Sequence, residues 1–341
     1  MIEASSGSSP CSAGVDAFRP SGPSREGAHR RYPEVMKIVF GPVPSRRLGR
    51  SLGIDVIPLK TCTYDCIYCQ LGPTRRLSVR RRPFRRLQEV VAAVEEALED
   101  RPDVDVLTFS GSGEPTLQLT LKGMIRALKA RFPLPVAVLT NGALLYRADV
   151  RDELREADLV LPSLDAWTEE MFQAINRPHP GLRLEAILEG LVAFSKTFPG
   201  RLWLEVLFVR GMNDDPEALP GLIQWVERIR PDRLHINTVV RPPSEPWALP
   251  VERERLEEIR STLGSVAEIV VPYRREAERA LRRGMEERVE EMLRRRPLTA
   301  KDLAATLGLG VEEARETLDR LANRHGWVKE TRGRDVYYRM P

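Results

Sequence analysis

Cysteine is scarce in this chain: four residues in 341. A disulfide-stapled scaffold is therefore not expected, and a chain this long with 42% hydrophobic residues can build its core without one. Long apolar runs are missing too, and no stretch approaches the roughly 20 residues that a membrane-spanning helix needs. The first apolar stretch, MKIVFGPV at 36–43, is too short for a secretory signal and leads straight into patterned sequence. These absences predict a cytoplasmic protein with reduced thiols and no membrane partner. Nor is there a large excess of one charge. A balance of 53 cationic against 49 anionic side chains names no partner by itself.

Residues 1–35 are rich in Ser, Gly, Pro and Ala and show no hydrophobic period, the composition of a disordered tail. Cys11 lies there as an idle thiol. From residue 53 onward, short apolar runs alternate with longer amphipathic ones. Strands are expected at 53–59, 105–110, 135–140, 158–164, 202–209 and 233–239, with 268–271 as a further one. Helices are expected around 86–99, 118–131, 147–156, 168–175 with 183–197, 216–229 and 251–262. In the first of these, Leu87, Val90, Val91, Val94 and Leu98 share one face. Six strand–helix repeats with continuous apolar strands predict an α/β fold, a parallel sheet covered by helices. It is either an open doubly wound sheet or a partial barrel, and both place reactive groups at the carboxyl ends of the strands.

Past a boundary near 272 the composition changes. Residues 273–296 read as a long charged linking helix. Residues 297–341 read as a Thr-capped helix, a Gly-containing turn, a second helix and a two-stranded wing. In the second helix Val311, Ala314, Leu318 and Leu321 fall on one face. The order is that of a winged helix-turn-helix.

Three of the four cysteines crowd into TCTYDCIYCQ, residues 61–70. A tetrahedral zinc site wants four ligands, and no second CxxC or CxxxH follows, while His179 and His235 read as ordinary histidines. A thioredoxin-like pair would leave Cys62 unexplained. An iron–sulfur cluster held by Cys62, Cys66 and Cys69 uses all three and leaves one iron open.

A Cys-x-x-x-Cys-x-x-Cys triplet after a first strand, with Tyr68 just before the last cysteine, resembles the radical S-adenosylmethionine (SAM) superfamily. FSGSGEPTL (109–117), LTNG (139–142), LPSLDA (161–166) and LFVRGMNDD (207–215) extend the likeness at successive strand ends. The resemblance implies a partial (βα)6 barrel over 36–272. It implies a 4Fe–4S cluster on Cys62, Cys66 and Cys69 whose fourth iron is chelated by SAM. It further implies Tyr68 at the adenine through its carbonyl, Gly113 and Glu114 at the methionine ammonium, and Asn141 as a polar SAM contact. Ser163 would meet the carboxylate or ribose, Asp165 the ribose, and Asn213 a further part of SAM. The bland readings are an ordinary turn for Gly113 and Asn141, and a helix N-cap or solvated carboxylate for Glu114 and Asp165. The implied chemistry is reductive SAM cleavage to a 5′-deoxyadenosyl radical, fed by a low-potential donor of flavodoxin or ferredoxin type.

For the substrate, residues 72–87 carry seven arginines and no acid, and 45–50 carry three more. This is either a solvated turn or a positive rim, spanning 75–86, that grips a nucleic acid such as RNA or another phosphate-rich substrate. The second helix of the winged segment mixes Glu312, Glu313, Glu316 and Asp319 with Arg315, Arg320 and Arg324, poor electrostatics for a groove reader. The wing, with Lys329, Arg332, Arg334, Arg339, Tyr337 and Tyr338, is the better candidate contact. Residues 41–74 resemble proteins related to wyosine-base tRNA synthases, without their second-cluster cysteines or a barrel lysine. Two other readings stand beside the RNA one: the same chemistry on a protein or small molecule with the winged helix as docking module, and a redox-sensing DNA-binding regulator.

Overall fold

The structure, a computed structural model, describes residues 37–45, 47–100, 103–270, 285–307 and 309–341. The expected tail with Cys11, the boundary near 272 and the first part of the linking helix lie outside the described residues. In chain order the strands are β1 (Val39–Ser45), β2 (Gly49–Ile54), β3 (Thr61–Cys62), β4 (Arg76–Leu77), β5 (Val106–Phe109), β6 (Val136–Thr140), β7 (Leu159–Pro162), β8 (Arg201–Phe208), β9 (Arg233–Thr238) and β10 (Ala267–Ile269). Helices α1 (Leu87–Asp100), α2 (Leu121–Arg131), α3 (Ala148–Leu154), α4 (Glu169–Met171), α5 (Leu184–Ser195), α6 (Leu219–Ile229) and α7 (Arg253–Leu263) alternate with them.

An eight-stranded sheet has the order β1-β2-β5-β6-β7-β8-β9-β10, parallel throughout except for the β1–β2 pair. The order never reverses. Right-handed crossovers that always step the same way put every helix on one face of the sheet. The doubly wound alternative is thereby excluded, since it requires a reversal. The large core lies on the helix side, where Leu107, Val138, Val160, Leu204 and Ile236 of the strands meet Val94, Leu128, Leu188, Leu222 and Ile259 of the helices. A smaller cluster of Val106, Ala137, Leu159, Leu161 and Trp203, with Leu48 against it, lies on the other face.

The first strand differs from expectation. It is Gly49–Ile54 rather than 53–59, and an antiparallel partner, β1, precedes it. Gly41, Pro42 and Pro44 interrupt the alternation that would reveal β1, and a bulge falls between Phe40 and Val43. Gly53 is required there because a Cβ would lie 2.1 Å from the Phe40 ring.

The C-terminal segment contains α8 (Met285–Arg295), β11 (Leu298–Thr299), α9 (Ala300–Leu307), α10 (Val311–His325), β12 (Val328–Arg332) and β13 (Asp335–Arg339). Its strands form a sheet ordered β11-β13-β12. Thr299 caps α9 reciprocally with Asp302: the Thr299 hydroxyl and amide donate to the carboxylate, and the Asp302 amide donates to the hydroxyl at 3.1 Å. Ala314, Leu318 and Leu321 are buried as expected, but Val311 is exposed at the start of α10. The core of this segment packs against Val43 of β1.

Candidate active site

The carboxyl ends of adjacent strands present every segment singled out from the sequence. The cysteine loop follows β2, Gly111–Glu114 follows β5, Asn141 follows β6, Ser163 and Asp165 follow β7, and Asn213 follows β8. Because these strands are neighbours in that order, their loops form an arc around one mouth.

Each thiol in the cysteine loop receives a side-chain N–H donor. The Asn141 amide donates to Cys62 Sγ at 3.5 Å, the Asn176 amide to Cys66 Sγ at 3.5 Å, and Lys60 Nζ to Cys69 Sγ at 3.1 Å. A neutral thiol is a weak acceptor, so three donors aimed at three sulfurs suit thiolates bound to a cation. Burial pushes the Cys62 thiol up to about 11, with the Glu114 carboxylate adding to it, and pushes Cys66 higher still. Iron, which takes the deprotonated form, offsets that cost. Among the described residues no group of three His, Cys, Asp or Glu side chains is arranged to hold a single metal ion. His235 is paired with Glu268 and burial lowers it to about 4, while His179 Nδ1 accepts from the Gly181 amide.

Glu114 lies deep in the arc, 2% exposed. It caps the 3₁₀ turn Pro115–Leu117: Oε1 accepts from the Thr116 amide at 3.0 Å and from the Thr116 and Thr140 hydroxyls at 2.6 Å. Oε2 accepts from the Asn141 amide at 2.8 Å. Burial raises its carboxyl, and among the described residues no lysine or arginine pairs with it. A buried carboxylate without a cation, beside Cys62, fits a ligand ammonium. Gly113 packs against the cysteine loop, where a Cβ would come 2.0 Å from the Thr61 carbonyl oxygen. Asn141 also donates to the Thr63 hydroxyl at 2.7 Å, and half-buried Ser163 forms a parallel bridge with Glu205.

The side chains of Asn213, Asp165 and Tyr68 have partners within the protein. Asn213 is fully buried, accepting from the Val209 amide at 2.8 Å and donating to the Asp165 and Leu207 carbonyls at 2.8 and 3.0 Å. Its amide ties the loops together and uses both of its donors in doing so. Asp165 is buried and accepts from the Tyr68 hydroxyl, the Asn176 amide at 3.2 Å and the Leu207 N–H at 3.0 Å. The Tyr68 side chain is fixed by that same bond, which leaves only its backbone for the expected role.

Lys60 and Asn176 carry no mark in the sequence pattern. Lys60 is 5% exposed and adopts φ 55°, a left-handed conformation that turns the chain into the cysteine loop. Burial alone would lower its ammonium, but the charges of Cys69 and Cys62 outweigh that and leave it above the ordinary lysine value. Asn176 ends a π turn, Phe172–Asn176, an irregularity that recurs at functional sites. The only local hint is a lone lysine two residues before Cys62.

The arginine-rich segment starts beside the thiols: Arg76 and Leu77 of β4 pair with Thr61 and Cys62. Arg81 is structural, ion-paired with Asp149 and Glu153. Arg76, Arg80, Arg82 and Arg86 are exposed. In the C-terminal hairpin several of the candidate contact residues have partners within the chain. Lys329 pairs with Asp319 at 2.6 Å, Arg332 and Arg339 pair with Glu330, and Tyr338 is buried with its hydroxyl on Asp319. The Tyr337 hydroxyl donates to the Val240 carbonyl of the barrel.

Residues 56–220 match the family model of the Radical SAM superfamily. A UPF0026 protein of Methanocaldococcus jannaschii is 39% identical over 66% of this chain and 70% of its own length. A Brachyspira hyodysenteriae protein named GTPase Obg is 37% identical over 86% of this chain, and the chain spans 44% of it. A solved structure of TYW1 with a lysine-pyruvate adduct superposes with a TM-score of 0.48 at 17% identity, covering 66% of this chain and 75% of that one. Enzymes of the superfamily use a 4Fe–4S cluster and SAM, and need a reductant. Among the described residues no helix is long and apolar enough to cross a membrane. With its thiols, their donors and the surrounding strand-end loops in place, the chain belongs to the radical SAM superfamily of enzymes and, within it, to the UPF0026 proteins.

Proposed function

We propose that this chain cleaves SAM reductively at a 4Fe–4S cluster held by Cys62, Cys66 and Cys69, and acts on RNA or another phosphate-rich substrate. The single observation that carries the first half is the convergence of three N–H donors, from Lys60, Asn141 and Asn176, on the three sulfurs of one loop. When bound, the cluster supplies the electron that splits SAM into methionine and a 5′-deoxyadenosyl radical. Glu114 receives the ammonium of SAM through its less occupied oxygen, Ser163 offers its hydroxyl to the carboxylate or ribose, and the Tyr68 carbonyl meets the adenine. Asn176, Asp165 and Asn213 act behind these residues by fixing the loops on which they stand. A flavodoxin- or ferredoxin-type protein serves as electron donor.

The substrate half rests on the exposed arginines that begin at the strand paired with Cys62 and continue through Arg86. A single-stranded polyanion laid along them would reach the mouth without crossing acidic surface between 72 and 87. The C-terminal segment is read as a winged helix, and the Tyr337–Val240 and Arg241–Asp302 contacts favour attachment to the barrel over nucleic-acid contact. The chain contains no GxxxxGK[ST] phosphate loop, so the GTPase name of one relative is not carried over. Anaerobic incubation with SAM and dithionite tests the chemistry. Production of 5′-deoxyadenosine is expected, and its absence from protein carrying a full cluster would remove the proposal.

A further inference from the structure

Asp55 follows β2, is 1% exposed, and has no part in the site described so far. Its Oδ2 accepts from the Ser112 amide at 3.1 Å and from the Ser112 hydroxyl, and its Oδ1 accepts from the Ile57 amide at 3.3 Å. Gly111 sits directly on this carboxylate. Its φ is +134°, and a Cβ there would lie 2.6 Å from Asp55 Cγ. Ser112 passes the constraint on, because its carbonyl accepts from the Lys60 amide at 2.7 Å. Two residues further, the Glu114 amide donates to the Thr61 carbonyl at 3.2 Å. One carboxylate therefore seats both the Gly111–Glu114 turn and the entry to the cysteine loop.

Neutral donors alone leave a carboxylate uncomfortable in a dry site, and burial pushes the Asp55 carboxyl up. The cation beside it comes from the far end of the chain. Arg295, the last residue of α8, is 4% exposed, and its Nε lies 3.9 Å from Asp55 Oδ2. It also donates to the Lys37 carbonyl, and its guanidinium lies over the Phe40 ring, 4.1 Å from the centroid. Glu291 on the same helix is buried nearby and, after Asp55, supports its charge.

A purely structural contact between α8 and β1 would not need a buried guanidinium. An apolar side chain could cover Phe40 without the cost of desolvating a charge, and buried ion pairs are weak devices for stability. Their better-attested use is to fix a geometry. Here the geometry fixed is the turn that carries Gly113 and Glu114.

We infer that Asp55 and Arg295 are positioning residues for SAM: helix α8 of the C-terminal segment lends the charge that holds the Gly111–Glu114 turn, so the seating of that segment on the barrel sets SAM affinity. This rests on the reading of the turn as part of the SAM seat.

The test uses the full chain, reconstituted anaerobically, as wild type, D55N, R295M, the D55N/R295M double variant and E114Q. Iron and sulfide content is measured first, then the SAM dissociation constant by equilibrium dialysis, then thermal stability. D55N and R295M are expected to keep a full cluster and bind SAM about fivefold or more weakly, the lower end of typical coupling between sites. The double variant is expected to bind no more weakly than the worse single one, since both act through one link. Unchanged SAM affinity in folded R295M, or additive losses in the double variant, overturns the inference. A lowered melting temperature with normal SAM affinity also overturns it, because that is the signature of a merely structural pair. Should R295M fail to fold, D55N decides alone, being isosteric and changing no residue of the C-terminal segment. If E114Q binds SAM normally, the fault lies in the reading of the turn as the SAM seat, and the inference falls with it.

Discussion

Lys60 points its ammonium at the sulfur of Cys69, 3.1 Å away, from a side chain that is almost wholly buried. A fixed positive charge in a poorly hydrated place acts strongly on whatever charge its neighbours carry. On a cluster bound through that sulfur, it favours the reduced, more negative state.

Replacing Lys60 by Met should therefore make the cluster harder to reduce. The midpoint potential is expected to fall by roughly 60 mV or more, one tenfold change in a one-electron equilibrium. Redox titration followed by EPR reads this directly, and an unchanged or more positive midpoint would show that the lysine serves packing alone.

Each of Cys62→Ala, Cys66→Ala and Cys69→Ala should abolish cluster retention, because the loop offers no other sulfur. Iron and sulfide analysis after anaerobic reconstitution is the measurement. A single variant that regains four irons and normal SAM cleavage would mean that the ligand set has been misassigned.

The exposed arginines give a prediction in salt. The triple variant R80A/R82A/R86A should bind a single-stranded RNA more weakly, with its log–log salt slope reduced by roughly 0.7 for each phosphate no longer neutralised. Filter binding across a salt series distinguishes the outcomes. Wild-type protein with a flat salt response would end the polyanion reading.

Arg241 and Asp302 join the barrel to α9, with Nη2 and Oδ1 3.0 Å apart. Burial works to raise the Asp302 carboxyl, but Arg241 and Arg296 outweigh it and hold it far below the ordinary value. A carboxyl depressed in the folded state stabilises above its unfolded value, about 3.9, and that contribution is lost as pH falls through the folded value. D302N should therefore cost on the order of 2 kcal/mol near neutrality and lose part of its disadvantage in acid. Chemical denaturation at pH 7 and pH 3 checks it, and an equal deficit at both would contradict the pairing.

The repeating part of the fold was legible because it is local. Continuous apolar strands such as those around Val138 and Val160, alternating with amphipathic helices, announce a parallel sheet from pattern alone. The β1 strand was not, because Pro42 and Pro44 hide its alternation. The thiols and Asn141 were legible because spacing and strand ends mark them. Asn213 and Asp165 show the limit of that reasoning. The sequence places them at the right strand ends but cannot tell a residue that faces a ligand from one that ties loops together. Lys60 leaves only its place two residues before Cys62 as a hint, and Arg295, which meets Asp55 only through folding, leaves no local trace. Tyr337 and Tyr338 read as candidate contacts beside the basic residues of the wing; in the fold one anchors to Val240 and the other enters the core.

Gly113 leaves no room for even one carbon between itself and the Thr61 carbonyl. The two loops are thus stacked like adjoining bricks with no mortar, and neither can be reshaped in isolation. Any lineage that traded this glycine for a larger residue would have to rebuild the backbone leading into Cys62 in the same step, so the cysteine loop and the Gly111–Glu114 turn must change together or stay as they are.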